Sequence, residues 1–131
     1  MNKICTSLEQ SQKLIELGID VSTADMHYPN RIGVDNYPLP IKWKNDNSLL
    51  SQEIPAWSLS ALLELIPPYL GEFEDGIDFG FSKAMNGKWY SAHYIQLDNS
   101  GLATFTKTVT GDTAIDAVFE MVVWLKENGK I

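Results

Sequence analysis

The chain has few of the side chains from which catalytic and metal centres are built. Its 131 residues include one cysteine and two histidines. Cys5 therefore has no partner for an internal disulfide, and no cysteine or histidine spacing matches a zinc site. From these side chains we expect no metal site and no cofactor.

Long apolar runs and clusters of basic residues are also missing. No segment approaches the roughly 20 consecutive apolar residues that a membrane-spanning helix needs. The N-terminal stretch MNKICTSLEQ has no apolar run after its lysine, unlike a signal peptide. The net charge of −7 argues against a nucleic-acid-binding surface, since phosphate contacts need clustered Lys and Arg. We therefore expect a cytoplasmic protein that binds neither membranes nor nucleic acids directly.

What the sequence does contain is the material for one packed domain. Hydrophobic residues make up 44% of the chain, which is enough for the core of a single domain over residues 1–131. Three prolines and the turn-like NDN at 45–47 break regular structure between residues 28 and 52. We expect this segment, 28–52, to be irregular or mobile.

Capping patterns predict helices near both ends of the chain. Thr6 and Glu9 fit a capping box, and Gly18 fits the left-handed residue that follows a helix. Thr113 and Asp116 fit a second capping pattern, which opens a helix with a broad apolar face. We expect this last helix to lie across the apolar face of a sheet.

The segment IPAWSLSALLELIPPYL, residues 54–70, predicts a short helix between these two. Ser58 is a favourable N-cap, and Pro67 disfavours helix at the residue before it. One face of this helix combines Leu59, Leu62, Leu63 and Ile66. Leu65 lies off that face. Apolar residues that fall outside the predicted core faces form a candidate interface for a protein partner: Trp57, Leu65, Tyr69 and Trp124.

Residues 77–109 predict an antiparallel β-meander. The dipeptide Asn86-Gly87 is a strong hairpin signal, since both residues tolerate the positive φ of a type I′ turn. A two-residue loop there pairs Phe79 with Tyr94. The predicted fold class is therefore α+β, with an antiparallel β-meander and helices packed on one of its faces.

A second turn, DNSG at residues 98–101, joins the last two strands of the meander. A four-residue loop there pairs Leu97 with Leu102. The same register pairs Tyr94 with Phe105. Both registers agree on one core face: Ile77, Phe79, Phe81, Tyr90, Ala92, Tyr94, Phe105 and Val109. The opposite face is half polar and provides a candidate ligand or partner face: Asp78, Trp89, Ser91, His93, Thr104 and Thr106.

His93 raises the question of catalysis on this polar face. It lies opposite Gly80 and diagonal to Asp78, and a carboxylate beside an imidazole is able to orient it as a general base. No recognisable nucleophile turn accompanies the pair. The competing interpretation is a surface histidine on a threonine-rich sheet, so we assign no catalytic residue.

Three segments of the chain carry a family resemblance. SLEQSQKLIELGIDVSTADM, PAWSLSALLELIP and AIDAVFEMVVWLKENGKI cover the N-terminal third, the short helix and the final helix. Together they resemble a family of small uncharacterised proteins encoded by bacterial prophages and mobile elements. The resemblance implies an accessory gene product that acts inside the cell. It implies no activity and no catalytic or binding residues.

Three functions fit these patterns. The first, which we expect, is non-enzymatic interaction with a protein partner, including a second copy of the chain. The second is a small-ligand-binding protein or enzyme that uses the polar sheet face around His93. The third is an acidic mimic of nucleic acid, which requires carboxylates arrayed on one surface.

Overall fold

Two antiparallel sheets and three α-helices make up the part of the chain that the structure describes. This is a computed structural model, and it describes residues 3–29, 38–40, 53–72 and 76–131. The elements in chain order are α1 (Leu8–Glu16), a 3₁₀ turn (Val21–Thr23), β1 (Met26–Tyr28), β2 (Leu39–Pro40), β3 (Ile54–Ala56), α2 (Leu59–Glu64), β4 (Tyr69–Leu70), β5 (Ile77–Lys83), β6 (Tyr90–Leu97), β7 (Ala103–Gly111) and α3 (Ala114–Glu127). The predicted α+β fold class is confirmed. Most of the segment predicted to be irregular, 28–52, lies outside the described residues.

The strands divide between a small sheet and a larger one. The small sheet has the order β2-β1-β3, and His27 in its central strand pairs with Leu39 and Pro55. The larger sheet has the order β4-β5-β6-β7, with every pair antiparallel. The predicted meander corresponds to β5–β7. The short edge strand β4 was not predicted, because two residues are too few to show an alternating pattern.

The first helix begins one residue later than predicted. Ser7 caps it: its hydroxyl accepts from the backbone N–H of Gln10, and the Gln10 side chain accepts from the N–H of Ser7. Thr6 does not cap the helix because it is buried, and its hydroxyl accepts from the N–H of Trp57. The predicted capping box that starts at Thr6 is therefore wrong by one position. Gly18 adopts the predicted left-handed conformation, with a φ of 86°.

The second helix is capped as predicted but buries a different stripe. The Ser58 hydroxyl accepts from the N–H of Ala61 and donates to the Asp25 carboxylate. Leu63, predicted to be in the core, is 38% exposed. Leu65, predicted to lie off the core face, packs against the core instead. The buried stripe is thus rotated towards Ala61, because the core lies on that side of this short helix.

The last helix, α3, is the centre of the core. Thr113 caps it as predicted, by accepting from the N–H of Asp116. Its buried residues are Ile115, Ala117, Val118, Phe119, Met121, Val122, Val123 and Leu125. They face the side of the larger sheet that carries Ala92 and Tyr94, both fully buried. Burial of these side chains contributes on the order of 10 kcal/mol of transfer free energy before chain entropy is subtracted.

Between β5 and β6 the predicted register is confirmed. Phe79 pairs with Tyr94, and their rings pack edge to face with centroids 5.5 Å apart. The Tyr94 hydroxyl donates to the carbonyl oxygen of Pro67 at 2.6 Å. Burial raises the pKa of Tyr94 to about 12, so this donor stays protonated at neutral pH.

The turn between β6 and β7 is one residue longer than predicted. Leu97 pairs with Ala103 rather than with Leu102. The Asp98 carboxylate accepts from the N–H of Leu102, and Gly101 adopts a φ of 82°. Five residues, 98–102, therefore lie between the paired residues Leu97 and Ala103. Because side chains alternate along a strand, this difference moves the first part of β7 to the opposite face.

A β-bulge at Thr106 then compensates for the longer turn. Phe105 pairs with Ile95 and Lys107 pairs with Tyr94, so within this strand pair Thr106 is the extra residue. The bulge restores the predicted alternation for the rest of β7 but leaves Phe105 on the face away from α3. The prediction that Phe105 belongs to the core is therefore wrong, and its side chain is 55% exposed.

Gly111, at the end of β7, marks a close approach between the larger sheet and α3. A Cβ at this position would lie 2.4 Å from the backbone nitrogen of Ala117. We predict that Gly111→Ala lowers the free energy of unfolding by about 1–3 kcal/mol, because the helix backbone has to move. Chemical denaturation followed by circular dichroism measures the loss.

Gly80→Ala is the matched control for this prediction. A Cβ at Gly80 would lie 2.4 Å from His93 Nε2, at the end of a side chain that is able to rotate away. We expect a clearly smaller loss of stability for this variant. Equal losses in the two variants would contradict the assignment of Gly111 to a rigid backbone contact.

Candidate functional site

The face of the larger sheet opposite α3 groups polar and aromatic side chains that the core does not use. We call it the outer face. Cross-strand pairing defines its three rows, which are Tyr69–Asp78–Ile95–Phe105, Gly80–His93–Thr108 and Ser82–Ser91–Thr110. The first row crosses all four strands of the sheet. The outer face is therefore a continuous surface and not a set of isolated residues.

His93 lies in the middle row, and two neighbours set its position. Its ring lies over Gly80, which is why a Cβ there would collide with Nε2. The ring of Phe105 packs against it edge to face, with centroids 5.5 Å apart and planes at 84°. Asp78 stands diagonal to His93, as predicted. The contacts that hold the imidazole are thus with a glycine and a phenylalanine.

Apolar side chains are exposed on and beside the outer face. Phe105 is 55% exposed and Leu97, which continues the same side of β6, is 64% exposed. Trp89, just before β6, is 43% exposed. Grouped apolar side chains of this size on a small protein are typical of binding surfaces. Chemically, the outer face offers a shallow apolar strip with hydroxyl, imidazole and carboxylate groups beside it.

The structure brings together half of the residues predicted as a ligand or partner face. Asp78, Ser91 and His93 share the outer face. Ser91 is only 8% exposed. Thr104 pairs with Gln96 and lies on the side of α3, and Thr106 is the bulge residue. Trp89 lies beside the hairpin turn. The positions of Thr104 and Thr106 differ from the predicted ones because of the longer turn and the bulge.

The residues predicted as an interface lie in different parts of the fold. Trp57, predicted to lie outside the core, is fully buried instead, because an apolar residue that precedes an N-cap packs over the first turn of the helix. Leu65 packs against the core. Trp124 is half-buried on α3, with Lys107 Nζ 5.8 Å from its ring centroid. Tyr69 lies on the outer face, beside Asp78.

Phe105 is the residue of the outer face that the sequence patterns misplaced. One signal pointed to the correct turn: an aspartate followed three residues later by glycine, Asp98 and Gly101, is typical of a type I turn closed by a bulged glycine. That turn adds the residue that moves Phe105 outward. Nothing comparable in the sequence marks the bulge at Thr106.

A second group of polar side chains is buried in and beside the small sheet. His27 Nδ1 lies 2.9 Å from Glu53 Oε2, and the two side chains are 8% and 10% exposed. Nearby, the Tyr28 hydroxyl donates to the carbonyl oxygen of Thr6 at 2.8 Å and lies 3.6 Å from Cys5 Sγ. Burial raises the pKa of the Cys5 thiol, which disfavours the nucleophilic thiolate. These contacts join the N-terminal segment to the strands and serve the fold.

A cleft of about 550 Å³ opens at the N-terminus of α3. Its charged lining residues are Lys3, Lys83 and Asp112. Lys3 Nζ lies 2.7 Å from Asp116 Oδ1 and also donates to the Gln10 side chain at 2.7 Å. Burial alone raises the Asp116 pKa, but hydrogen bonds from Lys3, Gln10 and Thr113 outweigh it and hold that pKa below its ordinary value. The charge of Lys3 is therefore neutralised from within the chain.

Among the described residues, no group of three or more His, Cys, Asp and Glu side chains is arranged to hold a metal ion. None of the described helices is long and apolar enough to cross a membrane.

Comparison with known proteins assigns no family to the chain. No protein-family model, no curated protein and no solved structure matches it.

The outer face yields a prediction about its own geometry. We predict that Gly80→Ala displaces the His93 imidazole, because the new methyl group occupies the position of the ring. In nuclear magnetic resonance spectra, the His93 ring signals shift and the contacts between the His93 and Phe105 rings weaken. Unchanged ring contacts in a folded Gly80→Ala protein would show that the imidazole does not lie over Gly80.

The ion pair at the start of α3 yields a prediction about pH. Because the folded-state pKa of Asp116 lies below its ordinary value of 3.8, its contribution is fully present above that value. The contribution disappears as the pH falls through the folded-state pKa. We predict that Asp116→Asn costs about 1 kcal/mol or less at neutral pH, since both side chains are partly exposed. The difference from wild type shrinks in strong acid.

Urea denaturation at neutral pH and well below the ordinary carboxyl pKa measures this dependence. Glu64→Gln, at an exposed position on α2, is the control for the loss of one carboxylate. A stability difference between wild type and Asp116→Asn that is the same at both pH values would argue against the linkage.

Proposed function

We propose that the chain is a non-enzymatic protein-binding domain that uses the outer face of its larger sheet. The observation that carries this proposal is the row formed by Tyr69, Asp78, Ile95 and Phe105, which places large side chains side by side on an exposed sheet surface. Aromatic residues are enriched in protein interfaces, because a large rigid ring loses little conformational entropy when it is buried.

The arrangement around this row matches the anatomy of a protein interface. Phe105 is the exposed anchor, and its ring packs edge to face against the ring of His93. His93 and Thr108 lie in the adjacent row and offer hydrogen-bonding groups to a partner. Interfaces typically combine a few apolar anchors with polar groups at their rim. The outer face has both parts within two adjacent rows.

Three features favour a protein over other partners and over catalysis. The rows of the outer face contain no lysine or arginine, and the chain has a net charge of −7, which suits neither nucleic acid nor an anionic membrane. His93 is positioned by Gly80 and Phe105. Neither of these two residues orients an imidazole as a general base. The resemblance to proteins of prophages and mobile elements, which implies a setting inside the cell and no activity, does not distinguish between these partners.

The test compares two exposed apolar positions. Phe105→Thr removes the anchor and keeps a side chain that suits a strand. Val21→Thr, at a residue that is 47% exposed in the 3₁₀ turn, is the control away from the sheet. We predict that a partner captured by the wild-type protein binds Phe105→Thr at least about tenfold more weakly, the size expected for one anchor residue. We expect its affinity for Val21→Thr to be unchanged.

The affinities are measured with the purified partner after its identification by mass spectrometry. Cooperative melting of both variants shows that the fold is intact. A partner that binds Phe105→Thr as tightly as wild type would contradict the role of the outer face. The proposal also fails if binding is lost equally in the Val21→Thr control.

A further inference from the structure

One edge of the larger sheet is formed by its longest strand. β7 runs over nine residues, Ala103–Gly111, and within the described part of the chain it pairs with β6 alone. The strand at the other edge, β4, has two residues. A strand at an edge presents a row of main-chain N–H and C=O groups, and the structure that satisfies such a row is another strand.

β7 has little of the chemistry that normally blocks edge pairing. It contains no proline and no acidic residue. Its one charged residue, Lys107, lies on the side of α3, with Nζ 5.8 Å from the ring centroid of Trp124. The bulge at Thr106 interrupts the strand, but Lys107–Gly111 follows it without a further irregularity. This five-residue segment is the part of the edge that is able to pair.

A groove of about 220 Å³ runs beside this segment, between β7 and α3. Its lining carries charges of both signs: Lys107 from the strand, and Glu120 and Glu127 from the helix. A two-fold axis sets such a groove beside an identical one, so that lysines and glutamates from both copies line the seam rather than charges of one sign. The edge is able to complete its main-chain hydrogen bonds with an identical edge, and the groove beside it brings no charge of a single sign to the seam.

We propose that two copies of the chain pair antiparallel through Lys107–Gly111 of β7, so that two four-stranded sheets become one continuous sheet. With the two-fold axis at Val109, Thr108 of each copy lies opposite Thr110 of the other on the outer face. Cross-strand threonine pairs stabilise antiparallel sheets. The dimer displays two outer faces side by side, and it forms whether or not a further protein binds there.

The test introduces like charges across the proposed axis. Thr108 and Thr110 are exposed, so their replacement leaves the core unchanged. We expect the wild-type protein to sediment as a dimer at high micromolar concentration, and both Thr108→Lys/Thr110→Lys and Thr108→Glu/Thr110→Glu to sediment as monomers. An equimolar mixture of the two variants restores the dimer, because each lysine then faces a glutamate.

Ser82→Lys is the matched control, since it adds a lysine to the outer face on β5, away from the edge. It remains dimeric. The proposal is overturned if the wild-type protein is monomeric at every concentration or if the doubly lysine-substituted protein is dimeric. It is also overturned if the mixture of the two variants stays monomeric.

Amide hydrogen exchange provides a second measurement that needs no variant. We expect protection of the Lys107–Gly111 amides to rise with protein concentration, while protection in β4 stays constant. Protection in this segment that does not depend on concentration would show that no second copy covers the edge.

Discussion

The packing of α3 against one face of the larger sheet is the contact on which the rest of the structure depends. It commits Ala92 and Tyr94 to the core and places Tyr90 and Gln96 on the same side of β6. Because side chains alternate along a strand, the residues between them are directed to the opposite face. Over the described residues, α3 packs on one face of this sheet and against α2. The outer face is thus a direct consequence of where the core lies.

The features that sequence patterns predicted correctly are those whose causes are local. Ser58 and Thr113 cap their helices through hydrogen bonds to residues three positions away. The β5–β6 register is also as predicted, although the turn hydrogen bond runs from the N–H of Gly87 to the carbonyl oxygen of Ala84, one residue before the predicted loop. Thr6 shows the limit of this reasoning. It has the chemistry of a cap, but a contact with a residue far along the chain holds it in the core, and its neighbour caps the helix instead.

For the candidate site, the same distinction separates the correct residues from the misplaced ones. Asp78 and His93 were predicted to lie near each other because the β5–β6 register depends on a single short turn. Tyr69 reaches their face only through the pairing of a two-residue strand, which no local pattern reveals. Phe105 reaches it through a turn and a bulge in succession. Each added irregularity removed the periodicity on which the prediction relied.

The two irregularities of β7 have an effect that neither has alone. The longer turn by itself would shift the register of the whole strand by one residue. It would place Lys107 and Val109 on the outer face and threonines on the side of α3. The bulge by itself would interrupt a strand whose alternation was already correct. Together they exchange the two faces only in the first part of β7, before the bulge. This exchange places Phe105 on the outer face, beside His93. A buried phenylalanine stabilises a fold by about 1.5–3 kcal/mol, so its exposure here forgoes stability. The role that we propose for Phe105 in binding a partner would supply a physical reason for this chain to hold it in solvent.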